Sequence, residues 1–321
     1  MAIKIIKPGM FTTIQDLGRS GYRAMGISPG GAMDHFAASV ANYLVGNDKK
    51  QPVIEMHFPA PEILFEEDAL ISITGADFNA FVDDQPIAPW KPHCIKRNEK
   101  LRFKKYLKGA RSYLAIDGGM ASGEWLNSFS TNTKVKAGGH MGRPLAKEDI
   151  IFVNPAIVSK AFTNFPDFSK EIDTVYQPEN IIRCIAGPEW NLLNDAAKQT
   201  FTNMLFSITP QSDRMGFRLN GMDILLDHPV QLISSAVDSG TIQLLPNGQL
   251  ILLMADHQTT GGYPRIANVI SADLPKLAQA TVHSQLQFEL TGIENAEDAL
   301  FSLYQTMASI KNGCKNYYDA D

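Results

Sequence analysis

Cysteine is scarce in this 321-residue chain: Cys94, Cys184 and Cys314 stand far apart with no CxxC pair. That excludes a disulfide framework and the usual zinc spacings, and it fits a reducing compartment. The seven histidines, at positions 35, 57, 93, 140, 228, 257 and 283, form neither HxH nor HExxH spacing, so no metal centre is expected. Basic residues (29) are outnumbered by acidic ones (34) and the net charge is −5, so no global field draws nucleic acid or an anionic membrane. Long hydrophobic runs are missing: a run such as Leu250 to Ala255 falls far short of the roughly 20 residues of a spanning helix. The N-terminus MAIKIIKPGM lacks the apolar core of a signal peptide, and a cytoplasmic location is expected. The GxxxxGK[ST] and GxGxxG patterns are absent, which leaves no P-loop or dinucleotide fingerprint.

What remains is a chain of ordinary globular composition, 44% hydrophobic and 20% charged, long enough for one large core or two medium ones. Its first half reads as short strands bounded by Gly, Pro, Asp or Asn: Ala2 to Ile6, Glu62 to Phe65, Ala69 to Thr74, Ala80 to Val82, Lys100 to Phe103, Ser112 to Ile116 and Ile150 to Val153. Hairpin-like turns at Asp83-Asp84, Arg97-Asn98 and Lys108-Gly109 point to an antiparallel barrel or sandwich. Helices are few. Asp34 can cap a run from His35 to Leu44 that Gly46-Asn47 ends; others are expected over Trp190 to Leu205, Leu274 to Ala278 and Ala296 to Ile310. The Pro-, Ser- and Asn-containing stretch 156–180 lacks a sustained period and reads as a connection. It separates a β-rich lobe over 1–155 from a second lobe over 181–321. A weak internal echo, VIEMHFPAPEILF (53–65) against TIQLLPNGQLILL (241–253), would make both lobes versions of one barrel if it marks a duplication.

Four clusters set glycines beside charged and amide side chains, where bare backbone N–H groups and fixed hydrogen-bonding partners can meet a ligand. TTIQDLGRSGYRAMGISPGGAMD (12–34) groups Gln15, Asp16, Arg19, Arg23 and Asp34 around five glycines and ends at a helix start, a place that attracts anions; a long turn with capping aspartates is the plain alternative. SDRMGFRLNG (212–221) places Asp213, Arg214 and Arg218 within six residues, suited to clamping a carboxylate and moving a proton, or to a purely structural Asp–Arg pair. ADHQTTGGYPRIA (255–267) runs from a strand into Gln258, Thr259, Thr260, Gly261 and Gly262, the setting of an oxyanion hole or anion cradle, with Asp256 and His257 as proton carriers. KAGGHMGRPL (136–145) reads best as a structural loop.

The first three strings, continued through DHQTTGGYPRIANVISADLP, resemble the signature segments of the biotin-dependent carboxyltransferase family that includes the 5-oxoprolinase C subunit, KipA and allophanate hydrolase subunit 2. The similarity runs over nearly the whole chain in order. It implies a mainly β, two-lobed, cyclophilin-like β-barrel architecture with a few short helices. It also implies one member of an ATP-dependent complex that opens 5-oxoproline to glutamate, beside a KipI-like B subunit and a third partner, the A subunit. Two alternatives come with the family: a carboxyltransferase component for urea or another amide with a separate biotin carrier, and a non-catalytic regulator that binds a KipI-like kinase inhibitor.

By the same resemblance the catalytic candidates are Asp213, Arg214, Arg218, Gln258 and Thr260. The substrate-binding candidates are Gln15, Asp16, Arg19, Asp34, Thr259, Gly261, Gly262 and Tyr263. A lactam or urea is a poor electrophile and a poor nucleophile, so its oxygen must be polarised and a proton moved at nitrogen. The expected division of labour gives the substrate carboxylate to Arg214 or Arg218, carbonyl polarisation or phosphate binding to the Gln258–Gly262 segment, and the proton to Asp213. The chain departs from the family pattern at His257, where arginine is usual. It contains no Met-Lys pair for biotin attachment and no recognisable ATP loop, so no covalently bound cofactor is expected, ATP is used by the complex, and biotin enters only under the carboxyltransferase alternative.

Overall fold

The computed structural model describes residues 1–154, 164–228 and 230–319. The chain is mainly β and divides into two units, each with its own strands. Met1–Arg19, Gly30–Ile172 and Thr306–Asp321 form the first; Ser20–Pro29 and Asp173–Gln305 form the second. This differs from single cuts near 155 and 181. Ser20–Pro29, from within the first sequence motif, belongs with the second unit, and the last stretch of the C-terminal helix belongs with the first. Of the stretch read as a connection, residues 156–163 lie outside the described residues; Ser169–Tyr176 is a helix that the sequence reading missed.

In the first unit two antiparallel sheets share a core. One has the strand order Ile150–Phe152, Ala2–Lys7, Glu62–Phe65, Lys100–Phe103, Ala80–Val82, Gln85–Pro86; the other has Thr12–Gln15, Val53–Met56, Lys108–Ile116, Ala69–Asp77, Pro92–Ile95. Ile3, Ile5, Ile63 and Phe65 of the first pack with Ile14, Ile54, Ile71 and Leu114 of the second, as the period-2 alternation of half-buried strands requires. The helix His35–Leu44 lies on the other face of the second sheet through Ala37, Ala38 and Ala41 against Val53, Leu70, Tyr113 and Ala115. The Asp83-Asp84 turn is a hairpin between paired strands. The other two expected turns are not. Arg97-Asn98 crosses from one sheet to the other, since Pro92–Ile95 pairs with Ala69–Asp77 and Lys100–Phe103 with Glu62–Phe65. Lys108-Gly109 lies inside a strand at a register shift, where Gly109 takes φ +77°.

The second unit is a closed barrel ordered Ile181–Ala186, Arg265–Val269, Thr241–Leu244, Leu250–Leu253, Gly216–Asn220, Phe206–Ile208, Gln285–Leu290. The last strand returns to the first in parallel, Ile181 opposite Gln287 and Cys184 opposite Leu290. Phe217, Leu219, Ile242, Leu244, Leu250 and Leu252 are buried, and alternation sets Arg218, Gln243 and Ile251 on the opposite face of the same strands. The echo between 53–65 and 241–253 is not a shared hairpin. Thr241–Leu244 and Leu250–Leu253 pair with each other, whereas Val53–Met56 and Glu62–Phe65 sit in different sheets.

The expected helix over Trp190 to Leu205 is a single turn at Trp190–Leu192 followed by Asp195–Asn203, capped by Asn194 accepting from the Ala197 N–H at 2.8 Å. The C-terminal helix is longer than expected, Ile293–Asp319. Phe201 is fully buried, stacked on Phe288 with centroids 4.9 Å apart at 7° and edge-on to Trp190 at 5.4 Å. Phe201→Ala leaves a ring-sized void and is expected to lower stability by about 3–5 kcal/mol, read as a drop in the urea midpoint of the second unit with its m-value unchanged.

Candidate functional site

In the first unit, Asp16 is a hub. Its Oδ1 accepts from the Gly18 N–H (2.8 Å), Ser128 Oγ (2.7 Å) and Ser130 Oγ (2.5 Å), and its Oδ2 from the Phe129 N–H (2.6 Å). One carboxylate thus ties the first motif to a loop more than a hundred residues away, using the strong class of charge-assisted bonds. Arg19, buried, donates to the Ser130 carbonyl at 2.5 Å and stacks on Trp125 at 4.8 Å. Gly138 is pressed against this pair, and a methyl group there would strike the Ser130 carbonyl.

Asp34 caps the helix as expected, its Oδ1 accepting from the Ala37 N–H at 2.9 Å. Its own N–H donates to Tyr113 Oη (2.9 Å), and the Met33 N–H donates to Glu55 Oε2 (2.8 Å). Thr13, Glu55, Tyr113 and Thr74 stand opposite one another across four strands, and all four are buried. Burial raises the Tyr113 hydroxyl well above its ordinary pKa, reinforced by Glu55 and Asp34. Gln15, two residues from Thr13 on the same face, donates to Thr13 Oγ1 at 3.0 Å, and its Oε1 is buried without a hydrogen-bond partner. Gln15 and Asp34 therefore belong to one polar layer under the helix start, while Asp16 and Arg19 organise the 128–130 loop.

The fourth glycine cluster lines a cavity of about 590 Å³ with Ser122, Phe129, His140, Met141 and Asn154. Its Arg143 does not face an anion: both guanidinium nitrogens grip Asp149, at 2.7 and 2.8 Å, which favours the structural-loop reading. Arg143, with the Ala146 N–H and His140 beside it, holds the Asp149 carboxyl down at about 2.

In the second unit, Arg214 is buried and its guanidinium is fork-paired with Asp256, Nε to Oδ2 at 2.8 Å and Nη2 to Oδ1 at 3.1 Å. The structural Asp–Arg pair weighed for this motif exists, with Asp256 rather than Asp213 as the partner. Asp213 accepts from the N–H groups of Met215 (2.8 Å) and Gly216 (3.3 Å), shaping the turn. Arg218 is exposed on the barrel's outer face. Thr260 and Gly261 form a two-residue strand paired with Ser235–Ala236, and the Thr259 carbonyl accepts from the Val237 N–H at 3.2 Å. The expected amide cradle is thus partly a ribbon. Gly262 flanks that ribbon and Tyr263 is exposed.

Beneath it, Gln258 Nε2 donates to Gln243 Oε1 at 3.5 Å, and His257 Nδ1 lies 2.6 Å from the Gln258 carbonyl. His257 Nε2 stands 3.6 Å from Asp238 Oδ1, beyond hydrogen-bonding distance and within ion-pair reach. Arg23 Nη1 donates to Asp238 Oδ2 at 2.8 Å, and its Nη2 donates to the Val237 carbonyl. His257, then the Ser239 N–H and Arg23, hold the Asp238 carboxyl at about 2 against the opposing effect of burial.

Sequence reasoning missed Glu55, Tyr113, Ser128, Ser130, Asp238 and Gln243. Each sits in an ordinary apolar or Ser-rich string, and only strand register or a long loop return brings it to the clusters. Among the described residues no group of three or more His, Cys, Asp or Glu is placed to hold a metal ion, and no helix is long and apolar enough to cross a membrane. Burial pushes the Cys184 and Cys314 thiols up to about 12, so neither supplies a thiolate at neutral pH.

A family model of the carboxyltransferase domain, subdomains A and B, matches residues 25–290. The 5-oxoprolinase C subunit of Escherichia coli strain K12 is 38% identical over 296 residues, covering 92% of this chain and 93% of that protein. Its namesake in Haemophilus influenzae is 35% identical over 286 residues, 88% and 89% of the two chains. The crystal structure of Kluyveromyces lactis urea carboxylase matches 98% of this chain at 28% identity with a TM-score of 0.88, and the chain spans 29% of that protein's length.

Asp149 and Asp238 both have folded-state pKa values of about 2 against an ordinary 3.8. Their contribution to stability is present above about pH 4 and is lost as pH falls toward 2. Asp149→Asn and Asp238→Asn are each expected to flatten the acid limb of stability against pH. Urea unfolding at several pH values between about 5 and 2.5 measures this; an acid limb as steep as wild type in both variants contradicts it.

Proposed function

The chain belongs to the carboxyltransferase-domain family of subdomains A and B, and from that premise we propose that it is one component of a 5-oxoprolinase, a hydrolase complex acting on a cyclic amide. The observation that carries this reading is end-to-end correspondence with the 5-oxoprolinase C subunit: 38% identity across 92% of one chain and 93% of the other. In the finer reading, the complex hydrolyses ATP, the chain is inactive alone and cytoplasmic, and its partners are a KipI-like B subunit and an A subunit. The carboxyltransferase alternative draws on the likeness to urea carboxylase, but there the matching region is a minor part of a far longer protein.

Opening the lactam breaks the carbon–nitrogen bond, gives the carbonyl carbon an oxygen from water, and leaves the nitrogen as an amine carrying an added proton. Arg218, exposed on the outer face of the barrel, binds the substrate carboxylate. Arg214, gripped by Asp256 on one edge of its guanidinium, fixes the turn on which Asp213 sits, and Asp213 moves the proton at nitrogen. Gln258 and Thr260, with the backbone of Thr259, Gly261 and Gly262 and the ring of Tyr263, surround the carbonyl. Gln15, Asp16, Arg19 and Asp34 are buried polar residues of the first unit, and as substrate-binding candidates they would act only where a ligand reaches that layer. ATP is used by the complex, and the Arg143 guanidinium of the fourth glycine loop is taken up by Asp149.

Mixing the chain with both partner proteins, ATP and 5-oxoproline is expected to yield glutamate, with no product when any component is omitted; absence of glutamate in the full mixture overturns the assignment. In that assay Arg218→Ala is expected to raise KM about 10- to 100-fold with a smaller change in kcat. Asp213→Asn is expected to lower kcat by about 100-fold or more with little change in KM.

A further inference from the structure

Arg23 is the only charged residue of the segment Ser20–Pro29, and the reaction described above gives it no part. That segment belongs to the second unit, while the chain on both sides of it belongs to the first. It makes one tight turn, Arg23–Met25, closed by the Gly26 N–H donating to the Arg23 carbonyl at 2.9 Å with Gly26 at φ +78°, so the backbone beneath Arg23 is set locally. The side chain then makes two contacts of different kinds. Its Nη1 donates to Asp238 Oδ2 at 2.8 Å and its Nη2 donates to the Val237 carbonyl. A planar guanidinium that spans a carboxylate and the carbonyl of the residue before it fixes a direction as well as a distance.

Both contacts lead to the third motif. Val237 donates its own N–H to the Thr259 carbonyl at 3.2 Å, and beside it Ala236 stands opposite Thr260 and Ser235 opposite Gly261. Asp238 Oδ1 stands 3.6 Å from His257 Nε2, and His257 Nδ1 lies 2.6 Å from the Gln258 carbonyl. Arg23 therefore reaches residues 257–261 by two routes, one through the backbone and one through the Asp238 carboxylate. The neighbouring carbonyl, that of Ala236, accepts from Arg265 Nη1 at 3.0 Å, and Arg265 is itself gripped by Glu189 through Nε and Nη2 at 3.0 and 2.8 Å. A pair of two-residue strands is too short to hold its own place; here two successive carbonyls of one of them are each held by an arginine. The Asp238 side chain is 64% exposed and that of Arg23 36%, and an ion pair so open to water adds little to folding. What it fixes is where the ribbon sits.

We propose that Arg23 is a positioning residue: through Asp238 and Val237 it sets the orientation of the Gln258–Gly261 backbone that surrounds the substrate carbonyl. This rests on the 5-oxoprolinase reading for the reaction and on the hydrogen bonds alone for the clamp. Arg23 touches no reacting atom. Its loss frees the ribbon to shift, and a misplacement of about 1 Å costs rate by up to about 100-fold while the carboxylate contact made by Arg218 stays in place.

In the reconstituted complex Arg23→Ala is expected to lower kcat for 5-oxoproline about 10- to 100-fold with KM within about threefold of wild type. Its thermal midpoint is expected to stay within about 3 °C. Arg23→Lys, which keeps a donor for Asp238 and lacks the fork, falls between Arg23→Ala and wild type. Asp238→Asn lowers kcat in the same way, and the double variant loses less than the product of the two single effects, because both act on one contact. In the full chain alone, followed by NMR hydrogen exchange, Arg23→Ala is expected to speed exchange of the Val237 N–H about tenfold or more and to leave the amides of Leu250–Leu253 unchanged. Wild-type kcat in Arg23→Ala, a change confined to KM, or unaltered exchange at Val237 overturns the proposal. If Arg23→Ala misfolds, Arg23→Lys and Asp238→Asn carry the same comparison. A wild-type complex that forms no glutamate refutes the 5-oxoprolinase reading, and the exchange measurement then decides the clamp by itself; glutamate formation with kcat and exchange unmoved by Arg23→Ala does the reverse.

Discussion

Residues opposite one another on neighbouring strands must point to the same side of the sheet, and both units depend on that constraint. In the first it aligns Thr13, Glu55, Tyr113 and Thr74 into a polar layer that receives the start of a helix; in the second it aligns Arg218, Ile251, Gln243 and Arg265 on the outside of a barrel. A one-residue slip in any of these pairings would exchange the polar row for the apolar interior. The rows are held because the opposite faces are packed with Ile, Leu and Phe. In the barrel, the parallel pairing of Ile181–Cys184 with Gln287–Leu290 closes the ring.

The two polar layers are built differently. Under the first helix, backbone N–H groups of Met33, Asp34 and Ala37 meet Glu55, Tyr113 and the Asp34 carboxylate, so the orphan donors of a helix start are met from within. Under the barrel's ribbon the partners are side chains, and matching stops short of two atoms. Each layer still keeps a buried side-chain atom without a hydrogen-bond partner, Gln15 Oε1 in the first and Gln243 Nε2 in the second.

Local chemistry was legible where one short segment decides it. Asp34 followed by an alanine-rich run specifies a capped helix, the Asp83-Asp84 hairpin was readable from its turn residues, and the strand-rich first half suggested an antiparallel barrel or sandwich. Where two distant segments decide, single-sequence reading failed. Asp16 looks like a helix-capping aspartate until Ser128 and Ser130 return to it, Arg214 chooses Asp256 over its neighbour Asp213, and Gln243 hides in TIQLLP as one polar residue in an apolar strand. Arg97-Asn98 and Lys108-Gly109 have hairpin composition because a crossover and a bulge need the same φ freedom as a turn. The resemblance located the motifs; it did not indicate which of their side chains grip one another.

The C-terminal helix carries a consequence for biosynthesis. Its portion from Thr306 onward belongs to the first unit, where Ile310 and Cys314 are buried and Tyr318 Oη donates to the Leu44 carbonyl at 2.6 Å. A ribosome delivers the sandwich's strands early and this helix only after every strand of the barrel. The barrel can therefore close on the nascent chain before the sandwich is finished, reversing the usual order in which the N-terminal part of a protein matures first.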